Sequence, residues 1–261
     1  MLQYAIGKNA VSFTLPDYVT SVGHYAFYGC QSLASIVLPD SVTDINTAAF
    51  YGCESLVKIS IPDSVSNIGY AAFYGCTLLT NIEIDANNQH YQSIDGDIYT
   101  KDGKTLLHYI SGKNLTEFII PDFVTSIGDY AFYGCESLVS IVIPDFVTSI
   151  GDCAFYGCES LVSIVIPNSI TSVSDYAFSY CRSLTSIVIP NSVTHIGYAA
   201  FFACESLTSI VISNSVTSIG QQAFDYCTSL TIYCEVSSQP SGWDRYWNHS
   251  NCPVVWGYKP E

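Results

Sequence analysis

Phenylalanine recurs every 23 residues over most of this chain, and a cysteine stands three residues after each one. The eight pairs are Phe27 with Cys30, Phe50 with Cys53, Phe73 with Cys76, Phe132 with Cys135, Phe155 with Cys158, Phe178 with Cys181, Phe201 with Cys204 and Phe224 with Cys227. A fixed period of roughly 20–50 residues predicts a solenoid, in which each repeat is one coil stacked on the next. Because solenoids offer long side surfaces rather than enclosed pockets, this architecture favours binding over catalysis.

The first half of each coil has the pattern of a short β-strand. In the coil that begins at Ser137, SLVSIVIPDFVTSIGDCAFYGCE, Ile141 and Ile143 alternate with Val142. A period of two places the two isoleucines on one face of a strand and the valine on the other. Pro144 then ends the strand, because proline cannot donate a hydrogen bond to a sheet ladder.

The second half of the coil predicts a turn and a short helical segment. Gly151 marks the turn. Ala154, Phe155 and Cys158 follow at the spacing of one helical turn with an inward face. Each coil is therefore predicted to contain a strand, a turn, a short extended stretch and a single α or 3₁₀ turn. The predicted fold class is a mostly β solenoid.

One coil is longer than the others. Cys76 and Cys135 are 59 positions apart, so one coil between them carries about 13 additional residues. This irregular coil, at about residues 79–114, contains two β-prone runs, 98–100 and 105–107, on either side of Lys-Asp-Gly-Lys. Asp-Gly between β-prone runs is a strong hairpin signal. We predict a β-hairpin insertion that projects from the stack or lies against its flank.

The chain divides into three predicted parts. Residues 1–9 form an N-terminal edge segment, residues 10–229 form the repeats, and residues 230–261 form a tail that contains all three tryptophans. The last coil of a solenoid needs a cover, and aromatic side chains bury about 150–250 Å² each. The tail is therefore predicted to be a C-terminal cap, with a separate aromatic ligand site as the alternative.

The charge of the chain excludes several partners. The formal net charge is -15, with only 8 lysines and arginines. Nucleic acid and anionic membranes both require clustered cations, so neither is predicted as a partner. No apolar run approaches the roughly 18–20 residues that span a bilayer. The first residues, MLQYAIGKNAVSF, lack the long apolar core of a secretory signal. We expect that any export signal lies elsewhere in a longer protein, and a cytoplasmic location stays open.

The repeated unit resembles the BspA-like leucine-rich repeat family. The residues that carry the resemblance in one coil are Ile143, Pro144, Val147, Thr148, Ile150, Gly151, Ala154, Phe155, Cys158, Ser160, Leu161 and Ile164. The resemblance implies a leucine-rich-repeat solenoid that is right-handed and curved, with short α or 3₁₀ turns on its convex side. It also implies a bacterial or protist protein of the cell surface or the extracellular space, associated with adhesion. The family brings no catalytic residues and no cofactor.

The eleven cysteines have several possible roles. The eight in the repeat are predicted to be free core thiols, although strand spacing also permits disulfides between neighbouring coils. Cys234 and Cys252 in the tail could pair in an oxidising compartment. Cys153 could be exposed and reactive, but the histidines follow no scheme that would activate it. Zinc is not predicted, because no Cys-x-x-Cys occurs.

Acidic residues recur at two places in the coil and cluster in the irregular coil. Aspartate follows the proline in five coils, and glutamate follows the cysteine in four. Solvated turns explain both columns, and a footprint for a basic partner is the alternative. Asp95, Asp97 and Asp102 hint at calcium, but Tyr99 occupies the next alternating position, so turn formation is the favoured interpretation.

The outward side of the strands is the candidate partner-binding face. Its aliphatic positions are Val37, Ile119, Val142, Val165, Val188 and Val211, and its serine positions are Ser140, Ser163, Ser186 and Ser209. β-Propensity alone could select valine at these positions. A contiguous apolar stripe on a solenoid is also a plausible partner surface.

The predicted function is non-catalytic binding rather than catalysis. We expect a monomeric module that binds protein or glycan on a host cell or matrix at the cell surface, without a metal or cofactor. The alternative function is a structural spacer or surface-display array with no specific ligand. The sequence names neither the ligand nor the organism.

Overall fold

The computed structural model describes residues 10–260. The predicted edge segment at 1–9 lies outside the described residues. The chain forms two compact units, Met1–Asn114 and Leu115–Glu261, here called unit 1 and unit 2. Each unit is a parallel β-solenoid, which agrees with the fold class predicted from the repeat.

The strands of unit 1 are short, with two to four residues each. They are β1 (Ser12–Thr14), β2 (Ser21–Val22), β3 (Ser35–Val37), β4 (Asp44–Ile45), β5 (Lys58–Ile61), β6 (Asn67–Ile68), β7 (Asn81–Ile84), β8 (Tyr91–Ile94), β9 (Asp97–Thr100) and β10 (Thr105–His108). A four-stranded sheet has the order β1-β3-β5-β7, and a second sheet has the order β2-β4-β6. Both sheets are parallel, with Ser12 opposite Ser35 and Ser21 opposite Asp44, so each coil advances the register by one repeat.

The irregular coil of unit 1 forms an antiparallel meander of β8, β9 and β10. The pair β9 and β10 is the hairpin that the sequence predicted around Lys101–Lys104. Strand β8 was not predicted, and Asp95 and Gly96 join it to β9 with φ values of 51° and 86°. Two consecutive positive φ values are typical of a type I′ hairpin turn. Ile98 is buried in the core, so the meander lies against the coils rather than projecting.

The strands of unit 2 form one long sheet and two short ones. They are β11 (Glu117–Ile119), β12 (Ser126–Ile127), β13 (Ser140–Val142), β14 (Ser149–Ile150), β15 (Ser163–Val165), β16 (Ser172–Val173), β17 (Ser186–Val188), β18 (His195–Ile196), β19 (Ser209–Ile212), β20 (Ser218–Ile219), β21 (Thr231–Cys234) and β22 (Val254–Trp256). The long parallel sheet has the order β11-β13-β15-β17-β19-β21-β22. The short parallel pairings are β12 with β14 and β16-β18-β20.

Stacked phenylalanine rings run through the core of each unit, as the repeat predicted. In unit 1 the centroid distances are 5.3 Å between Phe27 and Phe50 and 5.6 Å between Phe50 and Phe73. In unit 2 the four successive distances, from Phe132 to Phe224, lie between 5.2 and 5.5 Å. Such pairs contribute about 0.5–1.5 kcal/mol each beyond area burial. The rings therefore hold the coils in register.

The repeated thiols lie beside these rings. Six of them, Cys53, Cys76, Cys158, Cys181, Cys204 and Cys227, donate a hydrogen bond from Sγ to the backbone carbonyl of the phenylalanine one coil earlier. Cys158 donates to Phe132 at 3.2 Å, and Cys204 donates to Phe178 at 3.1 Å. Because a buried polar group is costly without a partner, this bond explains how a thiol fits an otherwise apolar column.

The predicted helical turn does not form. Among the described residues the sole helix is a 3₁₀ turn at Ser111–Lys113. In the coil of Phe155, the N–H groups alternate between two uses. Those of Tyr156 and Cys158 bond within the coil, to the third residue back. The others donate to the next coil, from Cys153 to Asp175, from Phe155 to Ala177 and from Gly157 to Ser179.

This alternation explains the error. An α-helix needs every N–H for its own i−4 carbonyl and a negative φ at every residue. Here the next coil takes every second donor, and Cys153 and Gly157 have φ values of 54° and 70°. The spacing of inward residues was read correctly, but consecutive β-turns produce it as well as a helix does.

The tail of unit 2 covers the last coil. Trp243 and Trp247 are each 4% exposed, and Trp247 meets the Phe224 ring edge-on at 5.8 Å. The Trp243 Nε1 donates to the Val216 carbonyl at 3.1 Å. Trp256 on β22 is 37% exposed. Two of the three tryptophans thus complete the core. The exact boundary of the cap at residue 230 stays a prediction.

Candidate binding surface

The valine face is the set of outward aliphatic side chains on the long sheet of unit 2. Its members and their exposed fractions are Ile119 (71%), Val142 (51%), Val165 (68%), Val188 (64%) and Val211 (37%). They occupy the third position of β11, β13, β15, β17 and β19. Their neighbours in sequence, such as Ile141 and Ile164, are buried. Strand alternation therefore sends the isoleucines inward and leaves the valine face in solvent.

The register of the sheet makes the valine face continuous. Ile119 pairs with Val142, and Val165 pairs with Val188. Neighbouring strands lie about 4.7–4.9 Å apart, so side chains at equivalent positions on adjacent strands are in contact range. Five such side chains in a row form an aliphatic ladder.

A second ladder of serines runs beside it. Ser163, Ser186 and Ser209 are exposed, and Ser140 is half-buried. Ser140 pairs with Ser163 and Ser186 pairs with Ser209. The structure thus brings the predicted unit 2 residues together on one sheet surface. Their binding of a partner stays a prediction.

Val37 has different surroundings. It is 58% exposed on β3 of unit 1, and its partner on β1 is Thr14. One and two coils later the same position carries Ser60 and Glu83. Glu83 forms an exposed salt bridge with Lys58 at 2.8 Å. Val37 is therefore a single valine on a polar sheet within unit 1.

Two exposed phenylalanines were missed by the sequence reasoning. Phe123 (42% exposed) and Phe146 (65% exposed) lie in the turns directly after β11 and β13. Most other coils have serine at this position, for example Ser169 and Ser192. That departure from the repeat was the available signal, and it adds apolar area at the turns that follow two strands of the valine face.

The sequence reasoning also missed a column of aromatic rings on the outside of the coils. The aromatic column is defined in unit 2 by Tyr133, Tyr156, Tyr180, Phe202 and Tyr226. Successive centroid distances are 4.9, 5.1, 5.4 and 5.0 Å. The column is hard to find in sequence because its members occupy two different repeat positions. Tyr156 follows its phenylalanine directly, whereas Tyr180 stands two residues after Phe178.

The two acidic columns are largely solvent-exposed. The aspartates after the prolines are exposed at Asp17, Asp40, Asp63, Asp122 and Asp145. In the glutamate column, Arg182 lies between Glu159 and Glu205, at 2.9 and 3.4 Å. The geometry fits solvated turns, and the exposed carboxylates also leave an acidic surface.

The candidate calcium residues do not converge. Asp97 is buried, pairs with Lys113 at 2.7 Å and accepts the Ile110 N–H at 2.8 Å. Asp102 accepts hydrogen bonds from Thr100 and Lys104 within its own turn. Across residues 10–260 no group of three or more His, Cys, Asp or Glu side chains is placed to hold a metal. Asp97 and Asp102 are thus engaged in local structure.

Two buried groups in the meander have shifted pKa values. Burial raises the pKa of Asp97 to about 6, because desolvation outweighs the opposing effect of Lys113. Its Oδ2 has no hydrogen-bond partner, which fits a carboxyl that protonates easily. Burial lowers the pKa of His108 to about 4, because the imidazolium would lose its hydration.

All eleven cysteines are free and buried. Cys234 and Cys252, whose pairing was left open, are both free thiols in the structure. The suggestion that Cys153 is exposed is wrong, because it is 7% exposed. Burial and the neighbouring aspartates raise its pKa, so the thiolate is disfavoured. Its environment gives no activated nucleophile.

No described helix has the length and apolar character needed to cross a membrane.

The repeats of this chain are similar to those of a known protein family. The chain matches the family model described as "BspA type Leucine rich repeat region" in six copies, over residues 5–99 and 108–231. A comparison with curated proteins found no match.

Several solved structures are similar. A leucine rich cell surface protein from Faecalibacterium prausnitzii is 36% identical with a TM-score of 0.74, over 96% of this chain and 63% of that one. The pneumococcal vaccine antigen PcpA is 25% identical with a TM-score of 0.75, over 87% and 57%. A leucine-rich repeat protein from Eubacterium ventriosum, 24% identical with a TM-score of 0.69 over 89% and 73%, shows the fold alone. The chain thus spans less than two thirds of the first two proteins.

Proposed function

The chain belongs to the BspA-type leucine-rich repeat family, and we propose that it is a non-catalytic binding module whose valine face binds a protein partner. The observation that carries the proposal is the continuous row of exposed aliphatic side chains from Ile119 to Val211. Contiguous exposed apolar patches on soluble proteins mark interaction sites more often than isolated apolar residues do.

The size of the hydrophobic contribution supports a moderate affinity. Fully burying a valine or isoleucine side chain contributes about 1.5–3 kcal/mol relative to full exposure. The members of the valine face are already half-buried by their neighbours, so each adds roughly 1 kcal/mol on binding. Together, the five side chains contribute more to the binding free energy than one hydrogen bond does, which is about 0.5–1.5 kcal/mol.

The charge of the chain supports a basic partner. Asp122 and Asp145 are exposed in the turns directly after β11 and β13. The formal net charge of -15 extends this sign over the whole chain. A basic partner has the opposite charge, which accelerates association. An acidic partner has the same charge and is repelled. The proposed partner is therefore a protein with an apolar patch flanked by lysine or arginine.

The proposed setting is the cell surface or the extracellular space. The similar protein from Faecalibacterium prausnitzii is described as a cell surface protein. We propose an adhesive role toward a host cell or matrix, with the module acting as a monomer. We also propose that the coil is right-handed, as the family resemblance implies.

The test replaces two members of the valine face with charge. Val142→Glu with Val188→Glu should weaken binding to purified extracellular-matrix glycoproteins by at least about tenfold in biolayer interferometry, because charged groups would be buried against the partner. The matched control is Ser60→Glu in unit 1, at the equivalent strand position. Glu83 already occupies that position one coil later, and the like charge of the two paired residues costs only about 0.2–1 kcal/mol, so the control is expected to fold.

The outcomes separate the candidate functions. Loss in the double variant with retention in the control supports the proposal. Binding that survives the double variant means that another surface is responsible. No binding by the unaltered chain to any matrix protein favours the second function, a spacer or display array.

A further inference from the structure

The aromatic column keeps its rings aligned even where the sequence position of the aromatic residue shifts. In the coil of Phe155 the residues that follow are Tyr156 and Gly157, whereas in the next coil they are Ser179 and Tyr180. Despite the shift, the Tyr180 ring lies 5.1 Å from that of Tyr156. Ser179 is instead buried and donates a hydrogen bond to a backbone carbonyl. The same shift recurs at Tyr226.

The alignment places a tyrosine at a position where the coil is left-handed, as it also is at Ala203 with a φ of 57°. Tyr180 has a φ of 60°, and Tyr226 also has a φ of 60°. Glycine holds this position in earlier coils, as at Gly157 with a φ of 70°. A non-glycine residue in the left-handed region costs roughly 1–2 kcal/mol. Ring stacking returns about 0.5–1.5 kcal/mol. The two effects nearly cancel, so fold stability alone gives little reason to retain the ring.

Polar groups flank the column at the same coils. The Arg182 guanidinium lies 5.6 Å from the centroid of the Tyr180 ring. It pairs with Glu159 and Glu205, and all three side chains are about half exposed. Aromatic surface with adjacent exposed donors and acceptors suits a ligand that has both apolar C–H faces and hydroxyl groups.

Ring orientation varies along the column. Tyr133 and Tyr156 are nearly parallel, at an interplanar angle of 10°. From Tyr156 onward the rings are inclined to their neighbours by 51°, 52° and 61°. A parallel neighbour covers the face of a ring, whereas an inclined neighbour leaves part of that face uncovered. The second half of the column is thus where ring faces are most available.

The spacing of the column restricts the ligand. One ring recurs at each coil, 4.9 to 5.4 Å from the last. An extended peptide strand repeats its side-chain direction only every two residues, about 6.8 Å, and would lose register along the column. A β-1,4-linked glucose chain is extended, because its two linkage bonds are both equatorial and leave opposite ends of the ring, and it advances by roughly one strand spacing per sugar. The net charge of -15 disfavours polyanionic glycans.

We propose that the aromatic column of unit 2, with Glu159, Arg182 and Glu205 beside it, binds a neutral, linear, β-linked polysaccharide with one sugar at each coil. The sugar C–H faces would pack on the inclined rings, and the hydroxyl groups would bond to the flanking charged side chains. This surface belongs to the turns of the coil and is separate from the valine face on its strands.

The test is isothermal titration calorimetry of the full chain with two hexasaccharides of glucose. Cellohexaose is β-linked and extended, and maltohexaose is α-linked and curved. Cellohexaose should bind at least about tenfold more tightly than maltohexaose. Equal affinity for the two sugars, or no heat with either, would overturn the proposal.

The variants use residues that the chain already accepts at the same positions. Tyr156→Ser introduces the residue found at Ser179, and Tyr180→Gly introduces the residue found at Gly157. The double variant should weaken cellohexaose binding at least about tenfold. Tyr18→Ser, at a tyrosine 78% exposed outside the column, should leave it unchanged. Unchanged binding in the double variant would contradict the proposal.

A folding check and a second binding control accompany the variants. Circular dichroism shows whether the double variant folds; if it does not, Tyr180→Gly alone decides, since it also removes the left-handed tyrosine. The Val142→Glu with Val188→Glu variant should bind cellohexaose normally. Failure of the valine face and failure of the aromatic column can therefore be told apart.

Discussion

The two units have the same kind of interior but different exteriors. Stacked phenylalanines at 5.2 to 5.6 Å line the core of both. The outward strand position is polar or charged in most coils of the four-stranded sheet of unit 1, as at Ser60 and Glu83. On the long sheet of unit 2 it is aliphatic at each of β11, β13, β15, β17 and β19. Ring stacking and strand register constrain the inward positions, whereas outward positions meet no partner in the coil. Differences between coils at outward positions are therefore where binding can be encoded.

A second contrast concerns buried charge. Unit 1 contains the meander, with buried Asp97 and His108, and its Asp97 pairs with Lys113. In unit 2 the buried ionisable acid is Asp225, which accepts the Ser250 N–H and pairs with His249 at 3.6 Å. In each unit the buried acid contacts an irregular segment, the meander region in unit 1 and the tail in unit 2. The meander therefore contains two buried groups, Asp97 and His108, whose opposite pKa shifts contribute to the stability of unit 1 with opposite dependence on pH.

The largest expected effect tests the shared interior. Phe50→Ala in unit 1 and Phe155→Ala in unit 2 should each lower the free energy of unfolding by about 3–5 kcal/mol, because both rings are fully buried between two others. Urea denaturation monitored by circular dichroism measures the loss. A loss below about 1 kcal/mol in either unit would show that its core can collapse around the cavity, and the interiors would not be equivalent.

The next effect concerns the pH dependence of unit 1. The raised pKa of Asp97 means that the fold favours the protonated acid. Its contribution to stability is full below its ordinary pKa of 3.8 and is lost as the pH rises to about 6. The lowered pKa of His108 has the opposite sign. Its contribution is full above 6.5 and is lost as the pH falls to about 4.

Single variants should separate the two contributions. At 1.36 kcal/mol per pKa unit, each shift corresponds to about 3 kcal/mol, so the two nearly cancel in the unaltered chain. Asp97→Asn should lose about 3 kcal/mol of stability between pH 6.5 and 4, and His108→Leu should gain a similar amount between pH 6 and 4. Urea midpoints across this range provide the measurement. Parallel pH profiles for the two variants would contradict the assignment.

The smallest effect tests the tolerance of the exterior. Val142→Glu with Val188→Glu should change the free energy of unfolding by no more than about 1 kcal/mol, since exposed substitutions usually stay within about 0.5 kcal/mol each. Ser60→Glu in unit 1 should lower it by about 1 kcal/mol or less, because the new carboxylate lies opposite Glu83 on the next strand. Thermal unfolding compares the three proteins. A larger loss in the double variant would mean that the valine ladder stabilises the sheet, which would favour β-propensity as the reason for valine.

Much of the fold followed from sequence because the repeat samples the same local pattern many times. The alternation around Val142 gave the direction of each outward side chain, and the Asp-Gly at 102–103 gave one hairpin. Strand β8 was missed, since its YQSI sequence lacks an apolar alternation and the signal lay in the Asp95-Gly96 turn. The valine face was therefore predictable in unit 2. That Val37 is a single valine in unit 1 emerged only when the same position was compared in neighbouring coils.

The sequence by itself determined the coil length, the inward column of phenylalanine and thiol, and the outward valines, because these depend on period and polarity. The tertiary structure decided what the backbone does between strands. Half of the N–H groups around Phe155 bond to a coil 23 residues away, so β-turns replace the helix. It likewise placed Cys153 in the core and aligned Tyr156 with Tyr180. These outcomes depend on contacts between coils, which local spacing does not contain.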